Sequence, residues 1–157
     1  MSVARNELTK QLGYVFHDAT LLARALTHRS QGSQNYERLE FLGDSILSFI
    51  VADVLYDRYP QLSEGELTRL RATLVRRETL AALARELDLG DCLELGSGEL
   101  KSGGFDRDSI LADALEAVFG AVYKDGGIEA ARDVVSRRYK PILDSIDPNS
   151  ILKDPKT

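Results

Sequence analysis

Apolar residues recur along most of the chain at spacings of three and four, which is the pattern of helices that bury one face. No run alternates apolar and polar residues as a half-buried strand does. The pattern therefore predicts an all-α protein. The predicted helices cover residues 4–12, 18–28, 36–58, 64–76, 78–88, 107–125 and 128–145.

Signals for helix ends support these boundaries. Gly13 follows the first predicted helix, and Asp18 stands where the second needs an N-cap. Ser63 and Glu66 have the Ser-x-x-Glu spacing of a capping box. The pair Gly126 and Gly127 is expected to separate the last two helices.

The segment from residue 90 to residue 108 is rich in glycine and is predicted to be a loop. Long loops inside compact domains are more often functional than not. Beyond residue 147 the sequence becomes polar and contains proline. We therefore expect one domain over residues 1–147 and the start of a linker over residues 148–157.

Composition limits the class of protein. The chain has 157 residues, and 43% of them are hydrophobic, which suits one domain with a substantial core. No apolar run is long enough to span a membrane, and the N-terminus does not resemble a secretory signal. Cys92 is the single cysteine, which favours a reducing, cytoplasmic location.

The net charge of −5 argues against a nucleic acid as partner, because phosphate neutralisation drives such binding. An acidic chain that binds nucleic acid needs bound metal ions, local basic patches or a separate basic domain. Charge alone therefore leaves this partner unsupported.

The run ERLEFLGDSIL, residues 37–47, places three acids on one side of a predicted helix. At about 100° per residue, Glu37, Glu40 and Asp44 lie within roughly 60° of one another. Gly43 lies at the edge of the opposite face, where a missing side chain lets another helix approach. That opposite, core-facing side is predicted to comprise Leu39, Leu42, Ile46, Phe49 and Ile50.

A second acidic pair, Asp113 and Glu116, lies on one face of the helix predicted over residues 107–125. The residues around this pair are small, which indicates a closely packed face; they are Ser109, Ala112, Ala117 and Gly120. If the two acidic faces meet, their carboxylates cannot all remain ionised without a cation. Oxygen ligands favour Mg²⁺ or Mn²⁺. Spacing alone does not distinguish this arrangement from two solvated acidic surfaces.

ERLEFLGDSIL resembles the signature of the ribonuclease III family. Further stretches resemble the family in order and spacing; they are LTHRS, PQLSEGELTRLRATLVRRETLA, GELKSGGFDRDSILAD and ALEAVFGAVY. The resemblance extends over residues 5 to 145 and is closest to bacterial catalytic domains. It implies the all-α endonuclease-domain fold of this family, assembled as a homodimer.

The resemblance also implies an activity: hydrolysis of double-stranded RNA that depends on Mg²⁺, for which Mn²⁺ can substitute. The products would carry 5′-phosphate and 3′-hydroxyl ends. The expected role is processing of ribosomal, messenger and transfer RNA precursors. Bacterial members usually continue into a double-stranded-RNA-binding domain, and the linker-like ending favours a chain cut short before it.

Site residues follow from the resemblance by matching positions. Glu40, Asp113 and Glu116 match the metal-binding acids of the family. Asp44 and Glu116 match the pair usually named catalytic.

Other positions match the RNA groove and the dimer contact. Glu37 and Glu64 match two outer acids, and Lys101 and Arg107 are the first candidates for binding phosphates. Phe41 is a large aromatic residue beside the acids, and we predict that it packs into the partner subunit. The remaining basic candidates are Arg69, Arg71, Arg76 and Arg77, while His17 and His28 are expected to be structural.

Other functions remain open at this point. An all-α nucleoside-triphosphate pyrophosphohydrolase also surrounds Mg²⁺ with helical acids, but the resemblance does not fit it. A non-catalytic dimeric RNA-binding module would gain nothing from acids that face phosphates. A di-iron bundle would require Glu-x-x-His pairs, which the sequence lacks.

Overall fold

The chain folds into helices joined by short connections in a computed structural model, which describes residues 2–147. The helices are α1 (Val3–Leu12), α2 (Ala19–Ala25), α3 (Glu37–Arg58), α4 (Glu64–Val75), α5 (Arg77–Glu86), α6 (Ser97–Lys101) and α7 (Asp108–Ser145). Short 3-10 turns cover Leu89–Cys92 and Gly104–Asp106. Within residues 2–147 there is one isolated β-bridge, a parallel pairing between Thr27 and Glu94. The all-α prediction is confirmed.

Most predicted helix ends are found where capping residues indicated them. Gly13 ends α1 in the left-handed conformation, with φ of 73°. The Asp18 side chain accepts a hydrogen bond from the Thr20 amide and caps α2. Ser63 and Glu66 form the predicted capping box at the start of α4. These local signals fixed the boundaries because each satisfies backbone groups that a helix end leaves unpaired.

The predicted end of α2 at residue 28 is wrong, because the helix stops at Ala25. Beyond it the backbone pairs with a distant segment: the Glu94 amide donates to the Leu26 carbonyl at 2.8 Å, and the His28 amide donates to the Glu94 carbonyl at 2.9 Å. These hydrogen bonds occupy the Leu26 carbonyl and the His28 amide, which a longer α2 would use for its own backbone hydrogen bonds.

The loop prediction for residues 90–108 is only partly right. The segment contains the short helix α6, most of the first 3-10 turn and all of the second. Its glycines made a regular element hard to detect, since glycine weakens helix propensity. The predicted linker at residues 148–157 lies outside the described residues.

Helix α7 changes direction at Gly127, where φ is 85° and the backbone leaves the helical region. This is the predicted separation between the last two helices. Just before it, the Asp125 carboxylate accepts hydrogen bonds from the Tyr14 hydroxyl at 2.5 Å and from the amides of His17 and Asp18. Asp125 therefore ties the bend in α7 to the connection between α1 and α2.

Helices α3 and α7 form the centre of the molecule, and their backbones nearly touch. A Cβ atom on Gly43 would lie 1.7 Å from the carbonyl oxygen of Glu116. A Cβ atom on Gly120 would lie 2.4 Å from the carbonyl oxygen of Leu39. The close approach predicted at Gly43 is confirmed, and it requires glycine on both helices.

The outer side of α3 departs from the prediction. Phe49 was assigned to the core-facing side, but 53% of it is exposed. Phe41 is 77% exposed and Tyr56 is 72% exposed. Spacings of eight and seven residues bring these aromatic side chains to one side of the helix, the outer stripe of α3. No helix within residues 2–147 has both the length and the apolar character needed to cross a membrane.

Candidate metal centre

Three carboxylates from two helices converge where α3 and α7 are closest. Glu40 comes from α3, and Asp113 and Glu116 come from α7. Each offers an oxygen atom, and these oxygens all lie within 4.8 Å of one another. We call these residues the acidic cluster. The cluster follows from the glycine contact, because the backbone of Glu116 packs directly against Gly43.

The protein surroundings disfavour the ionised forms of the acidic cluster. Burial, a side-chain hydrogen bond with Asp44 and the charge of Asp44 raise the pKa of Glu116 to about 9. Glu116 is only 7% exposed. Burial is also the main cause that raises the pKa of Glu40 and of Asp113. Without a cation, Glu116 therefore retains its proton near neutral pH.

A divalent cation fits this set of donors. The cluster offers carboxylate oxygens only, which are the ligands preferred by hard ions such as Mg²⁺ and Mn²⁺. A cation would offset the mutual repulsion that raises the pKa of Glu40, to which Asp113, Asp44 and Glu37 contribute after burial. The geometry and the electrostatics are thus both compatible with a bound metal ion.

Asp44 lies one turn beyond Glu40 on α3 and is exposed. It stands outside the acidic cluster but contacts Glu116 through the side-chain hydrogen bond. The structure thus places this residue at the solvent edge of the cluster. Its catalytic role stays a prediction.

A cavity of about 190 Å³ opens beside the acidic cluster, and we call it the acidic pocket. Glu40 and Asp113 form part of its wall, and the exposed Glu37 stands at its edge. Positively charged side chains also line the pocket. The remaining lining residues are His28, Arg29, Tyr36, Glu99, Arg107, Ser109 and Ile110.

Of the remaining RNA-groove candidates, one lines the acidic pocket and two do not. Arg107 lines the acidic pocket, and its guanidinium pairs with Glu99 at 3.0 Å. Lys101 is exposed at the end of α6. Glu64 is exposed at the start of α4 and does not line the pocket of its own chain.

Sequence reasoning missed two groups that the fold brings to this pocket. Glu99 has an ordinary surface position in the sequence, and no spacing distinguishes it from a solvated acid. Arg29 and His28 lie after α2, far from the acids along the chain. His28 is 7% exposed, and its Nδ1 accepts a hydrogen bond from the Ser30 amide at 3.1 Å.

Phe41 lines a second, larger cavity, which shares Glu37 with the acidic pocket. This cavity measures about 560 Å³ and is partly apolar. Leu21, Leu39 and Leu42 contribute its apolar wall. An exposed aromatic ring beside a partly apolar hollow is unusual for an isolated surface.

Comparison with known proteins shows extensive similarity. A family model described as Ribonuclease-III-like matches residues 18–143. The curated Ribonuclease 3 of Vibrio cholerae serotype O1 is 59% identical over 157 residues, covering 100% of this chain and 70% of that protein. The Ribonuclease 3 of Vibrio vulnificus strain YJ016 is 61% identical, over 96% of this chain and 67% of that protein.

Solved structures agree with the sequence relatives. The nuclease domain of ribonuclease III from Campylobacter jejuni superposes with a TM-score of 0.86 at 40% identity, covering 90% of this chain and 97% of that chain. A second structure of that domain concerns flexibility in a region involved in dimer formation, with a TM-score of 0.84 at 41% identity and coverage of 86% and 95%. Dicer from Pichia stipitis matches with a TM-score of 0.66 at 30% identity, over 84% of this chain and 59% of that chain.

Proposed function

The chain belongs to the ribonuclease III family and is an endoribonuclease, and on this premise we propose that it cleaves double-stranded RNA with Mg²⁺ bound by the acidic cluster. The convergence of Glu40, Asp113 and Glu116 within 4.8 Å is the observation that supports this proposal most strongly. Mn²⁺ has similar ligand preferences and is expected to substitute.

The proposed reaction is hydrolysis of a phosphodiester to a 5′-phosphate and a 3′-hydroxyl. A divalent ion bound at the cluster would lower the pKa of a water molecule and stabilise charge on the leaving oxygen. The protein holds the ligands rigidly, because all three acids project from central helices.

Glu116 and Asp44 have different roles in this proposal. Glu116 is buried and must lose its proton before it can bind a cation. Asp44 is exposed beside Glu116, so it can accept a hydrogen bond from water at the edge of the cluster. This assignment keeps Asp44 and Glu116 as the catalytic pair and Glu40, Asp113 and Glu116 as the metal ligands.

Basic side chains at the pocket edge support RNA as substrate despite the acidic chain. Arg107 lines the pocket and would bind a phosphate next to the cleaved bond, and the exposed Lys101 on α6 would bind a phosphate outside the pocket, since backbone contacts dominate the recognition of duplex RNA. Glu37 lies at the same edge, and Glu64 would reach the RNA groove only in the assembled dimer. We propose a role in processing ribosomal and other structured RNA precursors, in the cytoplasm.

The outer stripe of α3 supports a homodimer. Phe41, Phe49 and Tyr56 are too exposed to stabilise a monomer, and Phe41 adjoins a partly apolar hollow of about 560 Å³. In a two-fold symmetric dimer each chain presents the same ring and the same hollow, so the contact is reciprocal. We infer that Phe41 of each chain fills the hollow of the other.

Cleavage of a labelled RNA duplex tests the proposed function. The wild-type chain should cut in Mg²⁺ and should not cut in Ca²⁺, whose larger and more flexible coordination is poorly suited to the site. Glu116→Gln should reduce cleavage in Mg²⁺ by about a hundredfold or more, because one metal ligand is lost. Glu86→Gln makes the same chemical change at an exposed site on α5 and should cut normally.

Undiminished cutting by Glu116→Gln would show that the catalytic site is assigned wrongly. Turnover of a small nucleoside triphosphate without cleavage of the duplex would favour the pyrophosphohydrolase alternative. Tight binding of duplex RNA by the wild-type chain without cleavage in Mg²⁺ or Mn²⁺ would favour a non-catalytic module.

The dimer has a separate test. Phe41→Ala should raise the dissociation constant of the dimer by tenfold or more, because a large buried aromatic anchor typically contributes about 2 kcal/mol or more. Sedimentation equilibrium measures this constant. Val15→Ala is the matched control, since Val15 is 81% exposed and lies outside α3. A Phe41→Ala chain whose dimer dissociation constant equals that of the wild type would refute the contact.

A further inference from the structure

A hydrogen-bonded junction joins the residues after α2 to the residues before α6. Besides the backbone pairing around Glu94, the Ser30 hydroxyl accepts a hydrogen bond from the Gly96 amide at 2.8 Å. The same hydroxyl lies 2.8 Å from Nδ1 of His28. Because Nδ1 already accepts from the Ser30 amide, it is an acceptor for the hydroxyl as well. Ser30 therefore links a buried histidine to the start of α6.

Gly96 is closely fitted to this junction. A Cβ atom at Gly96 would lie 2.5 Å from the carbonyl oxygen of Ser30, and that oxygen belongs to the backbone. Two positions later, a Cβ atom on Gly98 would meet nothing within 4 Å. The start of α6 is thus held against Ser30, while Gly98 on the same short helix faces open space.

Helix α6 in turn holds Arg107. Glu99 projects from α6, and its carboxylate pairs with Arg107 at 3.0 Å and accepts a hydrogen bond from the Ser102 hydroxyl at 3.2 Å. The Glu99 side chain is packed over Gly104, where an added Cβ would lie 2.7 Å from it. Only 20% of the Glu99 side chain is exposed, whereas 47% of the Arg107 side chain is exposed.

These contacts form a continuous path from His28 to the rim of the acidic pocket. His28, Glu99 and Arg107 all line that pocket, which also includes Glu40 and Asp113 of the acidic cluster. Arg107 would otherwise be a mobile cation at the start of α7, since long side chains lose much conformational entropy when they are ordered. A guanidinium that is held in place before binding loses less entropy on contact with a phosphate.

We propose that Ser30 is a positioning residue for RNA binding, acting through Gly96 and Glu99 to hold Arg107 at the rim of the acidic pocket. The inference rests on the proposed function and identifies which residues outside the acidic cluster prepare the chain for its substrate. Ser30 is not assigned a catalytic role, because its hydroxyl is hydrogen-bonded to the Gly96 amide and to Nδ1 of His28.

A structural role alone is the competing explanation, and binding measurements separate the two. Ser30→Ala removes the hydroxyl that holds Gly96. The Kd for duplex RNA, measured by fluorescence anisotropy in Ca²⁺, should rise roughly three- to tenfold, as expected for the loss of one hydrogen bond. In Mg²⁺ the KM should rise by a similar factor while kcat stays within about twofold. Ser33→Ala, on the same connection and exposed, should leave Kd unchanged.

Gly96→Ala disturbs the junction from its other side and should raise Kd and KM in the same way. Gly98→Ala is the matched control on the same helix, and it should bind RNA as the wild type does. Ser30→Thr keeps the hydroxyl and should restore most of the affinity. The melting temperature of each chain shows whether it is folded.

A double mutant tests the path itself. If Ser30 acts through Arg107, adding Ser30→Ala to Arg107→Ala should raise Kd no further, because the residue that it positions is gone. Independent effects that multiply would overturn the proposal, and so would an unchanged Kd for both Ser30→Ala and Gly96→Ala. A wild-type chain that neither binds nor cuts duplex RNA would overturn the proposed function together with this inference. A Ser30→Ala chain whose Kd and KM for duplex RNA equal those of a cutting wild-type chain overturns the inference alone.

Discussion

The contact between α3 and α7 and the segment from residue 94 to residue 107 both border the acidic pocket, yet they are held by different forces. At the helix contact, backbones meet at Gly43 and Gly120, and Glu116 is buried. In the segment, short elements are joined by hydrogen bonds and by the ion pair of Arg107 with Glu99. The proposed metal ligands are thus placed by dense packing, and Arg107, the proposed phosphate-binding residue, is placed by weaker polar contacts.

The difference follows from what each region is proposed to bind. Carboxylates that share a cation must stay close despite repulsion, and only a rigid scaffold holds them there. A cation that contacts RNA phosphates must remain accessible to a large substrate. The same division explains how an acidic chain can bind RNA: the negative charge is concentrated where a metal ion would offset it, and arginine stands at the rim.

Breaking the helix contact should have the largest effect on stability. Gly43→Ala places a methyl group 1.7 Å from a backbone oxygen, so the helices must separate. We expect the free energy of unfolding to fall by about 3 kcal/mol or more, and cleavage to fall with it because the acids move apart. Urea denaturation followed by circular dichroism measures the change.

The matched control is Gly65→Ala on α4. An added Cβ there would lie 3.6 Å from the nearest atom, the guanidinium of Arg69, which is an ordinary contact. Alanine should stabilise this helix by up to about 1 kcal/mol. Equal losses of stability at both positions would refute the special role of the α3–α7 contact.

Metal binding should have the next largest effect, and it should depend on pH. Burial, followed by the hydrogen bond and charge of Asp44, raises the pKa of Glu116 to about 9 in the folded chain, from its ordinary value of 4.5. Between these values the folded chain holds more protons than the unfolded chain, so its metal-free stability falls as the pH rises. Mg²⁺ must displace the proton, and its binding should strengthen over the same range.

Thermal unfolding with and without Mg²⁺ tests this linkage. At a fixed Mg²⁺ concentration tenfold above its Kd at about pH 8, the stabilisation at that pH should be about 1.4 kcal/mol. The increase in melting temperature should be greater at about pH 8 than at about pH 6. Glu116→Gln should remove the effect of Mg²⁺ without lowering stability in a chelator, because glutamine replaces a carboxyl that is already neutral. A stabilisation that declines towards higher pH would contradict the proposed ligands.

Changes in the segment should have the smallest effects, and these should be confined to RNA binding. Arg107→Ala should weaken binding of duplex RNA several-fold and reduce the salt dependence of Kd by about one unit of slope. Lys101→Ala should have a weaker effect, because this exposed side chain does not line the acidic pocket. Salt titrations of Kd measure both. Equal slopes of log Kd against log salt concentration for the wild type and Arg107→Ala would exclude a contact between Arg107 and an RNA phosphate.

The two regions also differ in how well the sequence predicts them. The helix contact was predictable because Gly43 and the small residues beside Asp113 are local signs of close packing. The ends of α1 and α4 were predictable for the same reason, since their caps lie within a few residues. Phe49 was assigned wrongly because it lies at the edge of the aliphatic arc, where periodicity cannot tell a covered side from an outer one.

The segment was less predictable because its contacts are distant along the chain. The end of α2 depends on Glu94, and the position of α6 depends on Ser30. Glu99 could not be distinguished from a surface acid, because its partner Arg107 is brought to it by the fold of a glycine-rich stretch. Local propensity does not contain such pairings.

The central claim is that acids from α3 and α7 share one divalent cation. Crystals of the chain grown with Mn²⁺ and measured at the manganese absorption edge test it most directly. The claim predicts an anomalous peak within bonding distance of carboxylate oxygens from Glu40, Asp113 and Glu116, and no such peak in Glu116→Gln. A manganese ion bound elsewhere with the cluster empty, or the same peak persisting unchanged in Glu116→Gln, would contradict it.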